Sequence, residues 1–115
     1  MADGNPPPLT PAGYQVLLAL ASGTTHGYAI MRFVDEATGG DVRLGPGTLY
    51  RTIARLAADG LVEETGAETA DARRRNYRLT ALGHAAARRE SVLLARLVAV
   101  AADAGLLTGH DRRTA

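Results

Sequence analysis

Apolar positions along this chain fall into three short blocks of helical spacing, one short alternating pair of segments, and one long helical run. Leu9-Thr10-Pro11 marks the first start. Thr10 suits the N-cap, Pro11 the first helical position, and Leu9 can staple against Tyr14. The helix is expected from Pro11 to about Ala21. Its apolar residues Tyr14, Val16, Leu17, Leu18 and Leu20 cover more than one face, so it needs two things to pack against, its own core and a partner chain. Thr25-His26-Gly27 opens a second helix with Ile30, Val34 and Ala37 as its core stripe, and Gly39-Gly40 stops it near Thr38. Asp41-Val42-Arg43-Leu44 alternates over four residues and reads either as an edge strand or as a turn.

The third helix begins at Pro46 and ends near Asp59-Gly60, with Leu49, Ile53 and Leu56 on one face. Arg51 points nearly opposite, among Gly47, Ala54 and Ala58. Arg55 and Thr48 lie to one side of it and Tyr50 to the other. Residues 61–65 and 76–79 read as the two strands of a hairpin, with Tyr77 and Leu79 on its covered face. The loop between them ends in Arg73-Arg74-Arg75, of which Arg75 turns inward if the alternation extends that far. Thr80 caps a last helix from Ala81 to about Ala104, about 36 Å long. That exceeds what so small a domain can cover. The surplus apolar length, Leu93, Leu94, Leu97, Val100 and Ala101, calls for a second copy, together with Tyr14, Leu17 and Leu18 of the first helix.

Three helices, a hairpin and a long helix define a mainly α (α+β) chain, a winged helix-turn-helix with a long C-terminal dimerisation helix. Residues 9–79 form the DNA-binding part and 80–107 the dimerisation helix, while 1–8 and 108–115 are expected to be disordered tails. In this architecture the third helix enters the major groove and the wing follows the phosphates.

Composition changes the picture in three respects. All thirteen basic residues are arginine, and residues 44–89 hold eight of them against five acids, whereas residues 1–43 hold two against four. The basic excess thus coincides with the third helix and the wing, as nucleic-acid binding requires, although a solvated surface of local ion pairs gives the same count. Absence of cysteine removes disulfides and thiolate metal sites. No apolar run is long enough to span a bilayer, and no signal core opens the chain, so no membrane role and a cytoplasmic location are expected. His26, His84 and His110 lie far apart without ligand spacing, so no metal and no cofactor are expected. No phosphate loop or nucleophile elbow points to an enzyme.

Several stretches resemble the PadR family of bacterial transcriptional regulators. They are Tyr14-x-Val16-Leu17-Leu18-Ala19-Leu20, His26-Gly27-Tyr28, Leu44-Gly45-Pro46-Gly47-Thr48-Leu49-Tyr50, Gly60-Leu61-Val62 and Arg73-Arg74-Arg75-x-Tyr77-x-Leu79-Thr80-x-x-Gly83. The likeness runs from about Leu9 to Leu107 and fits the short subfamily with one C-terminal helix. Asn76 departs from it, since many relatives carry an aromatic there. The resemblance implies a homodimeric repressor on double-stranded DNA with a near-palindromic operator, released by a small hydrophobic or aromatic effector. It also implies DNA contacts from Tyr28, Thr48, Tyr50, Arg51, Arg73, Arg74 and Arg75, to which the helical wheel adds Arg55. An effector pocket at the dimer seam would draw on Leu93, Leu94, Leu97 and Val98, although core or dimer packing is the stronger reading of those residues. The rival reading is a winged-helix protein-interaction module without DNA binding. It gains if the arginines of the third helix are paired with acids of their own chain.

Overall fold

A computed structural model describes residues 8–65 and 75–107. Of the tails expected at residues 1–8 and 108–115, all but Pro8 lie outside the described residues, as do Arg73 and Arg74. The elements are α1 (Pro11–Ala21), α2 (Gly27–Ala37), α3 (Pro46–Ala58), β1 (Val62–Thr65), β2 (Asn76–Leu79) and α4 (Ala81–Asp103).

α1, α3 and α4 start where a local signal sets them. Thr10 Oγ1 accepts the Gly13 N–H at 2.9 Å and Pro11 takes the first position of α1. Thr80 Oγ1 accepts the Gly83 N–H at 3.0 Å at the head of α4. At the end of α2 the Thr38 hydroxyl donates to the Val34 carbonyl (2.8 Å) and accepts the Val42 N–H (3.0 Å), while the Gly40 N–H donates back to Asp35 (2.8 Å). Those bonds use the backbone groups that an edge strand would need, so Asp41–Leu44 is the turn between α2 and α3. Gly60, at φ 79°, turns the chain from α3 into the wing, a left-handed conformation that a side chain resists.

The core is a single cluster. Val16, Leu17, Ala19 and Leu20 of α1 meet Ile30 of α2, Leu49, Ile53 and Leu56 of α3, and Leu61, Val62 and Tyr77 of the wing. Ala86 and Ala87 of α4 close it. β1 and β2 pair antiparallel in the register Val62↔Leu79 and Glu64↔Tyr77. The hairpin is tied to the α1–α2 connection, because the Tyr77 N–H donates to the Thr25 carbonyl (3.0 Å) and His26 bridges to Asn76. A wing held on both sides has a fixed direction relative to α3.

Leu17 corrects one expectation. The sequence pattern places it on the dimer face, but it has no exposed surface and sits inside its own chain's core. α1 is apolar on two sides, and the side bearing Leu17 is the inward one. α4 leaves the core after about its first two turns. Beyond Ala87 no residue of it is fully buried, and Leu93, Leu97, Val98 and Val100 are each about half exposed or more, from 47% to 65%. Among the described residues no helix is long and apolar enough to cross a membrane.

Candidate nucleic-acid interface

The outer side of α3 is built around Arg51. Its guanidinium is solvent-exposed, forms no ion pair among the described residues, and reaches only Thr48 Oγ1, at 3.4 Å. A Cβ on Gly47 would stand 3.3 Å from Arg51 Nη1, so glycine there gives the guanidinium room one turn back along the helix. Arg55 is 82% exposed in its side chain and lies 3.9 Å from the Asp59 carboxylate, an exposed contact that DNA phosphate can readily displace. Thr48 is exposed beside them. The opposite face, Leu49, Ile53 and Leu56, anchors the helix in the core. Tyr28, on the first turn of α2, is 65% exposed, with no hydrogen-bond partner for its hydroxyl among the described residues.

Two expected contacts are placed differently. Tyr50 is half-buried, and a Cβ on Gly27 would lie 2.3 Å from its hydroxyl oxygen and 3.0 Å from Cζ. Its ring packs onto the first turn of α2 instead of projecting with Arg51. Gly27 is glycine because that ring leaves no space. Arg75 pairs with Glu64 at 3.2 Å and is half-buried, so it turns along the wing, whereas Arg78 pairs with Glu63 directly across the register. Burial pushes the Tyr77 phenol above its ordinary value. Tyr50 and Glu64 add to the shift and Arg75 opposes it.

Behind the interface, a cavity of about 420 Å³ opens between α1, the end of α2 and α4. Its wall is apolar, from Leu9, Tyr14, Leu18, Phe33 and Leu94, with Glu90 at its edge. Of the four residues expected to line an effector pocket at the dimer seam, Leu94 lines this cavity. Leu93, Leu97 and Val98 project from α4 past the end of the core. Phe33 was missed because it borders the α2 stripe and gains its place only when α4 crosses above. Tyr14 is held in the wall by its hydroxyl, 2.7 Å from Ser91 Oγ, and Ser91 in turn donates to the Ala87 carbonyl. No group of three or more His, Cys, Asp or Glu side chains among the described residues could hold a metal ion.

A recognition helix with a bare arginine, a wing and a preceding helix define a winged helix-turn-helix DNA-binding protein. Residues 16–89 match the model of the transcriptional regulator PadR-like family. The chain belongs to that family, which comprises transcriptional regulators and not enzymes. It is 45% identical over 85 residues to an uncharacterised 37.1 kDa protein of the Streptomyces fradiae transposon TN4556; the match takes in 71% of this chain and 22% of that relative's length. In solved structures, it is similar to a transcriptional regulator from Clostridium thermocellum, with a TM-score of 0.67 at 23% identity, over 80% of this chain and 87% of that one. It is also similar to the PcaV transcriptional regulator of Streptomyces coelicolor, solved with its natural ligand, with a TM-score of 0.59 at 27% identity over 91% and 73% of the two chains.

Proposed function

We propose that the protein is a homodimeric repressor that lays α3 in the major groove of a near-palindromic operator. The observation that carries this reading is Arg51, a guanidinium on the outer face of α3 with no acidic partner among the described residues. Free arginine on a recognition helix is suited to the paired acceptors on a guanine edge. Thr48 and Arg55 flank it within reach of neighbouring bases or phosphates. Tyr28 meets the backbone from the first turn of α2. Arg73 and Arg74, outside the described residues, supply phosphate contacts from the wing. Tyr50 positions α3 instead of touching DNA. The protein-interaction reading gains if the arginines of α3 are paired with acids of their own chain; Arg55 has such a contact, exposed and 3.9 Å from Asp59, whereas Arg51 has none among the described residues.

Dimerisation follows from α4. Leu93, Leu97 and Val100 form a stripe continuous with Leu94 and Ala101, and nothing among the described residues covers Leu93, Leu97 and Val100. Joining two copies there presents two recognition helices, one turn or a multiple of about 10 bp apart. A small apolar effector fits the α1–α2–α4 cavity, whose wall belongs partly to the dimer-forming helix. A ligand there would bias the pose of α4. PcaV, solved with its natural ligand, is a precedent in a related fold. The test is selection of binding sites by the purified protein from a random duplex library. Enrichment of an inverted repeat is expected, with affinity falling steeply as salt rises. Recovery of unenriched sequence would overturn the proposal.

A further inference from the structure

The first turn of α4 meets the entrance to the wing backbone against backbone. A Cβ on Gly83 would lie 1.9 Å from the Leu61 carbonyl oxygen and 2.9 Å from its carbon, so no side chain fits between them. A short relay of hydrogen bonds surrounds this contact. The Thr80 N–H donates to the Leu61 carbonyl (3.1 Å), the Thr80 hydroxyl donates to the Gly60 carbonyl (2.6 Å), and the Gly83 N–H donates to Thr80 Oγ1 (3.0 Å). The Leu61 N–H in turn donates to Leu56 in the last turn of α3 (2.9 Å). The end of the recognition helix and the start of the long helix are therefore held at one joint, and Leu61 within it is fully buried.

We propose that Gly83 and Thr80 are specificity-determining residues that set the half-site spacing the regulator accepts. The inference rests on the dimeric DNA-binding reading above. In a dimer joined through α4, the vector between the two recognition helices depends on how each α3 is held to its own α4. A methyl group on Gly83 must retreat by about 1.5 Å to reach ordinary contact with the Leu61 oxygen. If α4 pivots where it last packs on α1, near Ser91 and about 12 Å along the helix, the tilt is about 7°. With a lever arm on the order of 17 Å, half the distance of about 34 Å between recognition helices, each helix moves about 2 Å and the pair by up to about 4 Å. That is about one base-pair step of 3.4 Å. The joint thus converts a sub-side-chain change into a change of operator register without touching a single DNA contact.

The experiment measures affinity of the full chain for duplexes carrying its selected half-sites at graded spacings, and for a lone half-site. Gly83→Ala is expected to keep the dimer mass and the lone half-site affinity. Its preferred spacing should shift by about one base pair, with a loss of about tenfold or more at the native spacing. Thr80→Ala loosens the joint, so its preference among spacings should flatten, and Thr80→Ser, which keeps the hydroxyl, should restore the wild-type profile. If Gly83→Ala fails to fold, the Thr80 pair decides. Spacing profiles like the wild type's in the folded variants overturn the role of the joint while leaving the dimeric operator standing. A wild-type protein with no spacing preference at all overturns both.

Discussion

Replacing Leu97 by Ala tests the claim that α4 is a dimer helix, because Leu97 takes no part in its own chain's core. It is 56% exposed, on the same side of α4 as Leu93, Leu94 and Ala101. Full burial of a leucine side chain stabilises by about 1.5–3 kcal/mol. Covering the remaining 56% in a dimer therefore contributes about 0.8–1.7 kcal/mol per copy. Each dimer contains the residue twice, so the substitution should cost about 1.7–3.4 kcal/mol, a rise in dimer Kd of about 20- to 300-fold. Sedimentation equilibrium over a range of concentrations measures this, with circular dichroism to check that helix content is unchanged. Val92→Ala is the control. Val92 is 47% exposed but lies about 140° around the helix from Leu97, and its loss should leave the dimer Kd within about twofold. The reasoning fails if Leu97→Ala dimerises as tightly as wild type, or if Val92→Ala weakens the dimer equally.

Gly27→Ala places a methyl against the Tyr50 ring and should cost about 1–3 kcal/mol in urea unfolding. Tyr50→Phe in the same chain should recover part of that loss and, alone, should leave DNA affinity near wild type; a tenfold loss of affinity in a folded Tyr50→Phe protein would make Tyr50 a DNA contact after all. Tyr77 gives a pH prediction. Its folded pKa is raised above 10.0, so the unfolded chain ionises first as pH rises. The stability that Tyr77 contributes should be complete below about pH 10 and lost above it. Urea midpoints between pH 8 and 11 should show the fall, and Tyr77→Phe should reduce its slope; an equal slope in the variant contradicts the assignment.

The helix boundaries were legible because short-range chemistry sets them. Thr10-Pro11, Pro46 and Thr80 act within a turn of their own positions, and the structure starts α1, α3 and α4 there. The arginine face of α3 was legible because the anchoring face, Leu49, Ile53 and Leu56, leaves Arg51 no other direction. What could not be read depends on contacts between distant residues. Leu17 and Leu18 both look apolar on a wheel, and only the placement of α2 and α3 decides that Leu17 is the buried one. Tyr50 looked like a neighbour of Arg51, yet its ring is claimed by Gly27, 23 positions earlier. Asp41–Leu44 alternated like a strand until the Thr38 hydroxyl took its backbone. Gly83 stood in a familiar motif, but its reason, the Leu61 carbonyl, appears only in three dimensions.

The central claim is that Arg51 reads bases, and it is tested most directly by comparing wild type and Arg51→Ala on two duplexes, the selected operator and a scrambled one. Each titration is run at several salt concentrations. A base-reading arginine predicts an operator affinity lower by about 1–3 kcal/mol, or about 5- to 150-fold, with scrambled-duplex binding changed far less. An equal loss on both duplexes, accompanied by a salt slope smaller by about one, would make Arg51 a phosphate contact and contradict the account.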